Sequence, residues 1–107
     1  MIGYYMLDDD RRAVPCDDFS ILSKWMGMSV GRASHNGVEV YTVFLAMEHG
    51  RDERGMPILF ETMVFGGPRD GYQQRYCTWE EAEAGHESML WVLTEERDRK
   101  LGELGIQ

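Results

Sequence analysis

Three strings between Val38 and His86 constrain the fold more than anything else in the chain: VEVYTVFLAMEH, PILFETMVFGG and RYCTWEEAEAGH, in that order. The first two are rich in Val, Thr, Tyr and Phe, which suit a pleated, half-buried surface, so Val38 to Glu48 and Ile58 to Phe65 read as strands. Apolar residues occupy both faces of the first, with Val38, Val40, Phe44 and Ala46 on one side and Tyr41, Val43, Leu45 and Met47 on the other. At least part of each face should therefore be covered. Leading into the third string, Tyr72 to Cys77 is extended and more polar. Thr78-Trp79-Glu80-Glu81 is then a capping box, in which hydroxyl and carboxylate each satisfy a backbone N–H at a helix start. Ala82, Met89, Leu90 and Leu93 form one stripe of that helix, with His86 on or beside it. Gly85 should weaken its middle by roughly 1 kcal/mol relative to Ala. Glu95 to Lys100 reads as a solvated last turn with intrahelical ion pairs, and Leu101 to Gln107 should fray.

Upstream, Gly3 to Leu7 is a short aromatic strand that enters a charged turn at Asp8, Asp9 and Asp10, the turn running through Pro15. Asp17 and Asp18 stand in N-cap position before FSILSKWM. There Phe19, Leu22 and Trp25 or Met26 share one side at helical spacing, predicting a short helix that ends near Gly27. Asn36-Gly37 between extended runs is a type I′ hairpin signal that pairs Ser29 to Ser34 with the strand from Val38. HGRDERGM, from His49, is a charged loop, and Asp70-Gly71 is a second turn. The expected fold is one α+β domain over residues 1–107. It comprises a single antiparallel sheet of four to five strands, a C-terminal helix packed on one face and a short N-terminal helix.

A chain of 107 residues that is 43% hydrophobic can bury one core without staples. Cys16 and Cys77 are far apart and lack zinc-ligand spacing, so they read as reduced core thiols. No run approaches the ~18 apolar residues of a membrane span and MIGYYML is no signal peptide, so a cytoplasmic protein without a membrane partner is expected. Nineteen acidic against eleven basic residues give a formal charge of −8. That disfavours direct nucleic-acid binding, which relies on cations at phosphates, and favours a basic protein as partner.

The strings YTVFLAMEH, ILFETMVFGG and RYCTWEEAEAGH resemble a family of small proteins found in phages and bacterial genomes, especially actinobacterial ones, that carry STVFLGLDH, LLFETMVFGG and RYSTWEEAEAGH. The likeness covers about the C-terminal two-thirds, with a weaker echo of PVPCD and a Trp-bearing helix in AVPCDDFSILSKW. It implies origin in a phage or prophage more than a mechanism. Two departures are Glu48, where the family has Asp before the histidine, and a more charged loop from Gly50 to Met56.

His49, Glu61 and His86 are the candidates for a catalytic or metal site, because two imidazoles and a carboxylate can hold zinc or iron with a position left for water. The bland alternative keeps both histidines structural and pairs Glu61 with Arg75 across strands, since an unpaired carboxylate inside ILFETMVF would be costly. Asp8, Asp9 and Asp10 lack the alternating spacing of a calcium loop. Cys77 sits where a helix dipole would lower its pKa, without a neighbouring histidine in sequence. Among the aromatic residues Trp25, Trp79, Trp91, Tyr41, Tyr72 and Tyr76, Trp91 falls off the apolar stripe and is the exposed binding candidate. No P-loop, GxGxxG, nucleophile elbow or HExxH occurs.

The expectation is thus a non-enzymatic accessory protein, without a cofactor, that binds a host or phage protein. An inhibitor of a host defence factor is one concrete form, with Asp8 to Asp10 and Trp91 as binding residues. Interrupting arginines such as Arg11, Arg12 and Arg75 argue against a DNA mimic. A homodimer on a sheet edge or the Trp91 face is compatible with this reading. The alternative is a small metal-dependent enzyme using His49, Glu61 and His86.

Overall fold

The computed structural model describes the backbone of residues 3–103 and the side chains through Glu95. Four strands, β3 (Met28–His35), β4 (Val38–Phe44), β5 (Phe60–Phe65) and β6 (Gln73–Tyr76), form an antiparallel sheet in the order β3-β4-β5-β6. The β3–β4 hairpin turns through Asn36 and Gly37 at φ of 50° and 80°, the left-handed pair that a type I′ turn requires. Across β4 and β5 the register sets Thr42 opposite Thr62 and Phe44 opposite Phe60.

The N-terminal half departs from the sequence reading in three places. Asp8 to Pro15 is not one long turn: β1 (Tyr5–Leu7) pairs with β2 (Ala13–Pro15) in a separate two-stranded sheet. Its tight turn is held by the Asp8 carboxylate, which accepts from the N–H groups of Asp10 and Arg12, both at 2.9 Å, while Arg11 takes φ of 63°. The strand expected to reach Glu48 stops at Phe44, because Ala46 adopts φ of 62° and redirects the chain. Beyond that kink Met47 bridges Tyr4, so the first strand lies beside the continuation of β4 and not in the main sheet.

The third departure is α1, which spans only Phe19–Leu22. Its cap is as expected, with the Asp18 side chain accepting from the Ser20 N–H at 2.9 Å. By Gly27 the backbone N–H is donating to Phe44 O, so the segment must leave the helix to enter the strand ladder. One turn cannot carry a long stripe: Leu22 is buried, but Phe19 is 67% exposed and rests edge-on against Tyr4.

The C-terminal helix α2 (Trp79–Glu103) packs across all four strands of the main sheet. Thr78 Oγ1 accepts from the Glu81 N–H and Glu81 Oε1 accepts from the Thr78 N–H, both at 3.1 Å, which completes the capping box. Ala82, His86 and Met89 are buried against the sheet and Leu90 and Leu93 half-buried. Two apolar clusters result: one around Phe44, Leu59, Phe60, Trp79 and Ala82, the other joining Val40 and Val64 to Met89. Burying Phe44 and Phe60, whose rings lie 5.1 Å apart, contributes on the order of 3 kcal/mol each. The ion pairs read into Glu95 to Lys100 and the fraying of residues up to Gln107 fall largely outside the described residues.

Candidate functional site

Strand parity decides which side chains can meet. Val40, Thr42 and Phe44 of β4 and Phe60, Thr62 and Val64 of β5 face α2 and are all buried. Under the helix they enclose a polar chain. The Tyr76 hydroxyl donates to Thr62 Oγ1 at 3.2 Å, Thr62 Oγ1 lies 2.6 Å from Thr42 Oγ1, and Thr42 Oγ1 lies 2.7 Å from His86 Nδ1. Each hydroxyl has one proton. Every hydroxyl proton finds an acceptor within the chain when Thr62 donates to Thr42 and Thr42 to the imidazole, the arrangement in which His86 accepts at Nδ1, holds its proton at Nε2 and is neutral. Burial pushes the His86 pKa down, opposed by the charge of Glu87, and burial pushes the Tyr76 phenol up. Both groups are thereby held in their uncharged forms.

Two glycines allow this close approach. A Cβ on Gly31 would lie 2.7 Å from the His86 ring, and one on Gly85 would overlap the Tyr76 hydroxyl. The glycine that weakens α2 is therefore where the helix rests on β6.

Glu61, one residue from Thr62, points to the opposite face of the sheet. There it stands across from Arg75 in the β5–β6 register, its Oε1 3.6 Å from Arg75 Nε. That oxygen is sealed from solvent and has no hydrogen-bond donor. His86 and Glu61 are thus separated by the sheet itself, and His49 is half-buried past the Ala46 kink, its backbone N–H donating to Ile58 O at 3.0 Å. The trio expected to hold a metal is not assembled, and no group of three metal-ligating side chains exists among the described residues.

The other candidates are also placed. Asp8 spends its carboxylate on its own turn, while Asp9 and Asp10 are exposed. The Cys77 thiol is not activated by the helix start. Burial raises its pKa first, and its hydrogen bond to Asp52 Oδ2 at 3.5 Å adds to the rise. Asp52 organises the charged loop by accepting from the Met56 N–H at 3.0 Å, which is the main reason its own pKa falls to about 2. Cys16 and Cys77 are both free and buried.

Trp91 is 63% exposed on the outer side of α2. Glu83, Glu87, Trp91 and Glu95 follow at intervals of four and are all exposed, so the indole stands in a row of carboxylates. No helix among the described residues is long and apolar enough to cross a membrane.

Neither Thr42 nor Thr62 was a site candidate from sequence, and Tyr76 entered only as one of the aromatic residues. The available signal was two threonines at buried parity on neighbouring strands, which become partners only once the register is known. No protein-family model, curated protein or solved structure matches the chain.

Proposed function

We propose that the protein acts by binding another protein through the outer face of α2, with Trp91 as anchor and a basic surface as its counterpart. The observation that carries this reading is the 63% exposure of Trp91 within the row Glu83, Glu87 and Glu95. Tryptophan is enriched among residues that dominate binding energy, and flanking carboxylates steer and orient a cationic partner. The surplus of acidic residues, −8 overall, acts in the same sense. The resemblance of the strings from YTVFLAMEH to RYCTWEEAEAGH to phage-borne proteins supports a host or phage protein in the bacterial cytoplasm as the partner. The basic channel of a host defence nuclease has the required chemistry. The buried His86 chain then serves to hold α2 rigidly on the sheet, and no catalytic step is assigned to it.

The test is capture from host lysate with wild type, Trp91→Ala and Glu83→Lys/Glu87→Lys, followed by titration of the purified captured protein against each. A partner whose affinity falls at least about tenfold in both variants supports the reading. A partner bound equally by all three, or bound only through Asp9 and Asp10, overturns it.

A further inference from the structure

A cavity of about 370 Å³ opens between the β1–β2 turn, the segment that leads into β5 and the first residues of α2. That size falls at the lower end of small-molecule sites and suits one ring system with one charged group. Half-buried Tyr5, Met56 and Pro57 and the buried Trp79 give it an apolar side, and Arg11 and Arg12 give it a cationic one. In a chain of net charge −8 this pair of arginines is distinguished by what it lacks. Arg51, Arg54 and Arg75 each lie against a carboxylate, whereas among the described residues neither Arg11 nor Arg12 makes an ion pair. Asp8 to Asp10 directly precede them, yet the Asp8 carboxylate turns to backbone N–H groups of its own turn. Arg11 also holds a left-handed φ of 63°, which glycine would adopt more easily, and its guanidinium lies over the Trp79 ring, 4.6 Å from the centroid. A guanidinium held by its face keeps its in-plane N–H edge available to an anion.

We infer that this cavity binds a small aromatic phosphomonoester, its ring against Tyr5, Met56 and Pro57 and its phosphate at Arg11 and Arg12. Charge and shape select that class. Two adjacent guanidinium groups match a dianion with three terminal oxygens, where a carboxylate would leave one fork unused. Inorganic phosphate alone would leave the apolar side wet, and that side contributes only when a ring covers it. The N-terminus of α2 is not part of the site, because Thr78 and Glu81 already satisfy each other's backbone N–H groups there. Glu80 lines the rim and opposes an anion, so the arginines must outweigh it and the affinity is modest. Trp91 does not line the cavity, so this site is separate from the protein-binding face of α2.

The test is an NMR titration of the full chain that reads the Trp79 indole N–H while naphthyl phosphate is added to about 5 mM, with naphthoate and inorganic phosphate as comparison probes. The variants are Arg11→Gly, which suits the left-handed φ, Arg12→Ala, whose backbone N–H can still reach Asp8, Glu80→Gln and Trp91→Ala. The expected result is saturable binding of naphthyl phosphate, at least about tenfold weaker in Arg11→Gly and in Arg12→Ala and unchanged in Trp91→Ala, with both comparison probes weaker by at least about tenfold. Glu80→Gln, which removes the opposing charge, should tighten binding about two- to threefold, a gain that loss of structure cannot produce. No saturable shift, binding indifferent to both arginine variants, a comparison probe bound as tightly as naphthyl phosphate, or binding lost in Trp91→Ala each overturns the inference.

Discussion

Replacing Gly85 by alanine reverses the sign that helix propensity alone would give. Glycine inside a helix is about 1 kcal/mol less favourable than alanine, so in an isolated helix Gly85→Ala stabilises by that amount. In the folded protein the new methyl would overlap the Tyr76 hydroxyl and lie 2.5 Å from its Cε1. The ring must swing away from α2, and its 3.2 Å hydrogen bond to the fully buried Thr62 is lost with it. That bond is worth about 1 kcal/mol, and the contacts of a half-buried ring another 1–2 kcal/mol. Set against the helix gain of about 1 kcal/mol, the net is a destabilisation of about 1–2 kcal/mol. Equilibrium urea unfolding resolves this as a lower midpoint at unchanged slope. The same substitution in a Tyr76→Ala background removes the clash and should stabilise by about 1 kcal/mol, so the double-mutant cycle carries a coupling of 2–3 kcal/mol. A Gly85→Ala protein more stable than wild type would refute the reasoning.

Two further outcomes follow from the titrating groups. The folded His86 pKa lies below its ordinary 6.5, because burial disfavours the imidazolium. Its neutral form thus supports the fold fully above about pH 6.5, and that support is lost as pH falls from there toward the depressed folded value. Urea midpoints at pH 7.5, 6.5 and 5.5 should decline for wild type and flatten in His86→Gln; a flat wild-type profile contradicts the buried, neutral assignment. Asp52, at about 2 when folded against 3.8, contributes a constant stabilisation above about pH 4 that is lost only below it, and so leaves that window clear. The buried Cys77 thiol with its raised pKa should alkylate slowly with iodoacetamide at pH 7.5, and Asp52→Asn, which removes the adjacent charge, should speed it. Equal rates in both proteins would exclude a carboxylate effect.

The elements written locally in the chain were legible: Asn36-Gly37 forms its hairpin, Asp18 caps α1, and Thr78 with Glu81 caps α2. What was not legible depends on partners distant in sequence. Ala46 and Arg11 take left-handed φ without being glycine or asparagine, so neither the end of β4 nor the β1–β2 turn left a compositional trace. The length of α1 is set by Gly27 joining Phe44, a contact invisible from FSILSKWM. The Glu61 and Arg75 pairing could be anticipated, since an antiparallel neighbour was the natural counter-ion. The separation of Glu61 from His86 could not, because β5 carries bulky apolar residues on both faces and periodicity does not say which one meets the helix.

The same two-faced composition gives the hydroxyl pair at the centre of the sheet a second significance. A strand apolar on both sides can slide against its neighbour without exposing an obvious fault, and hydrophobic burial alone would score several alignments of β4 on β5 as nearly equal. A slip of one residue would put the Glu61 carboxylate beneath α2 and turn Thr62 outward. A slip of two keeps the parity but separates Thr42 from Thr62, leaving buried hydroxyls and an imidazole without mates, each at about 1–3 kcal/mol. Misaligned sheets are thus rejected by polar mismatch where greasy packing would accept them, and the chain from Tyr76 to His86 works as the alignment key of the fold.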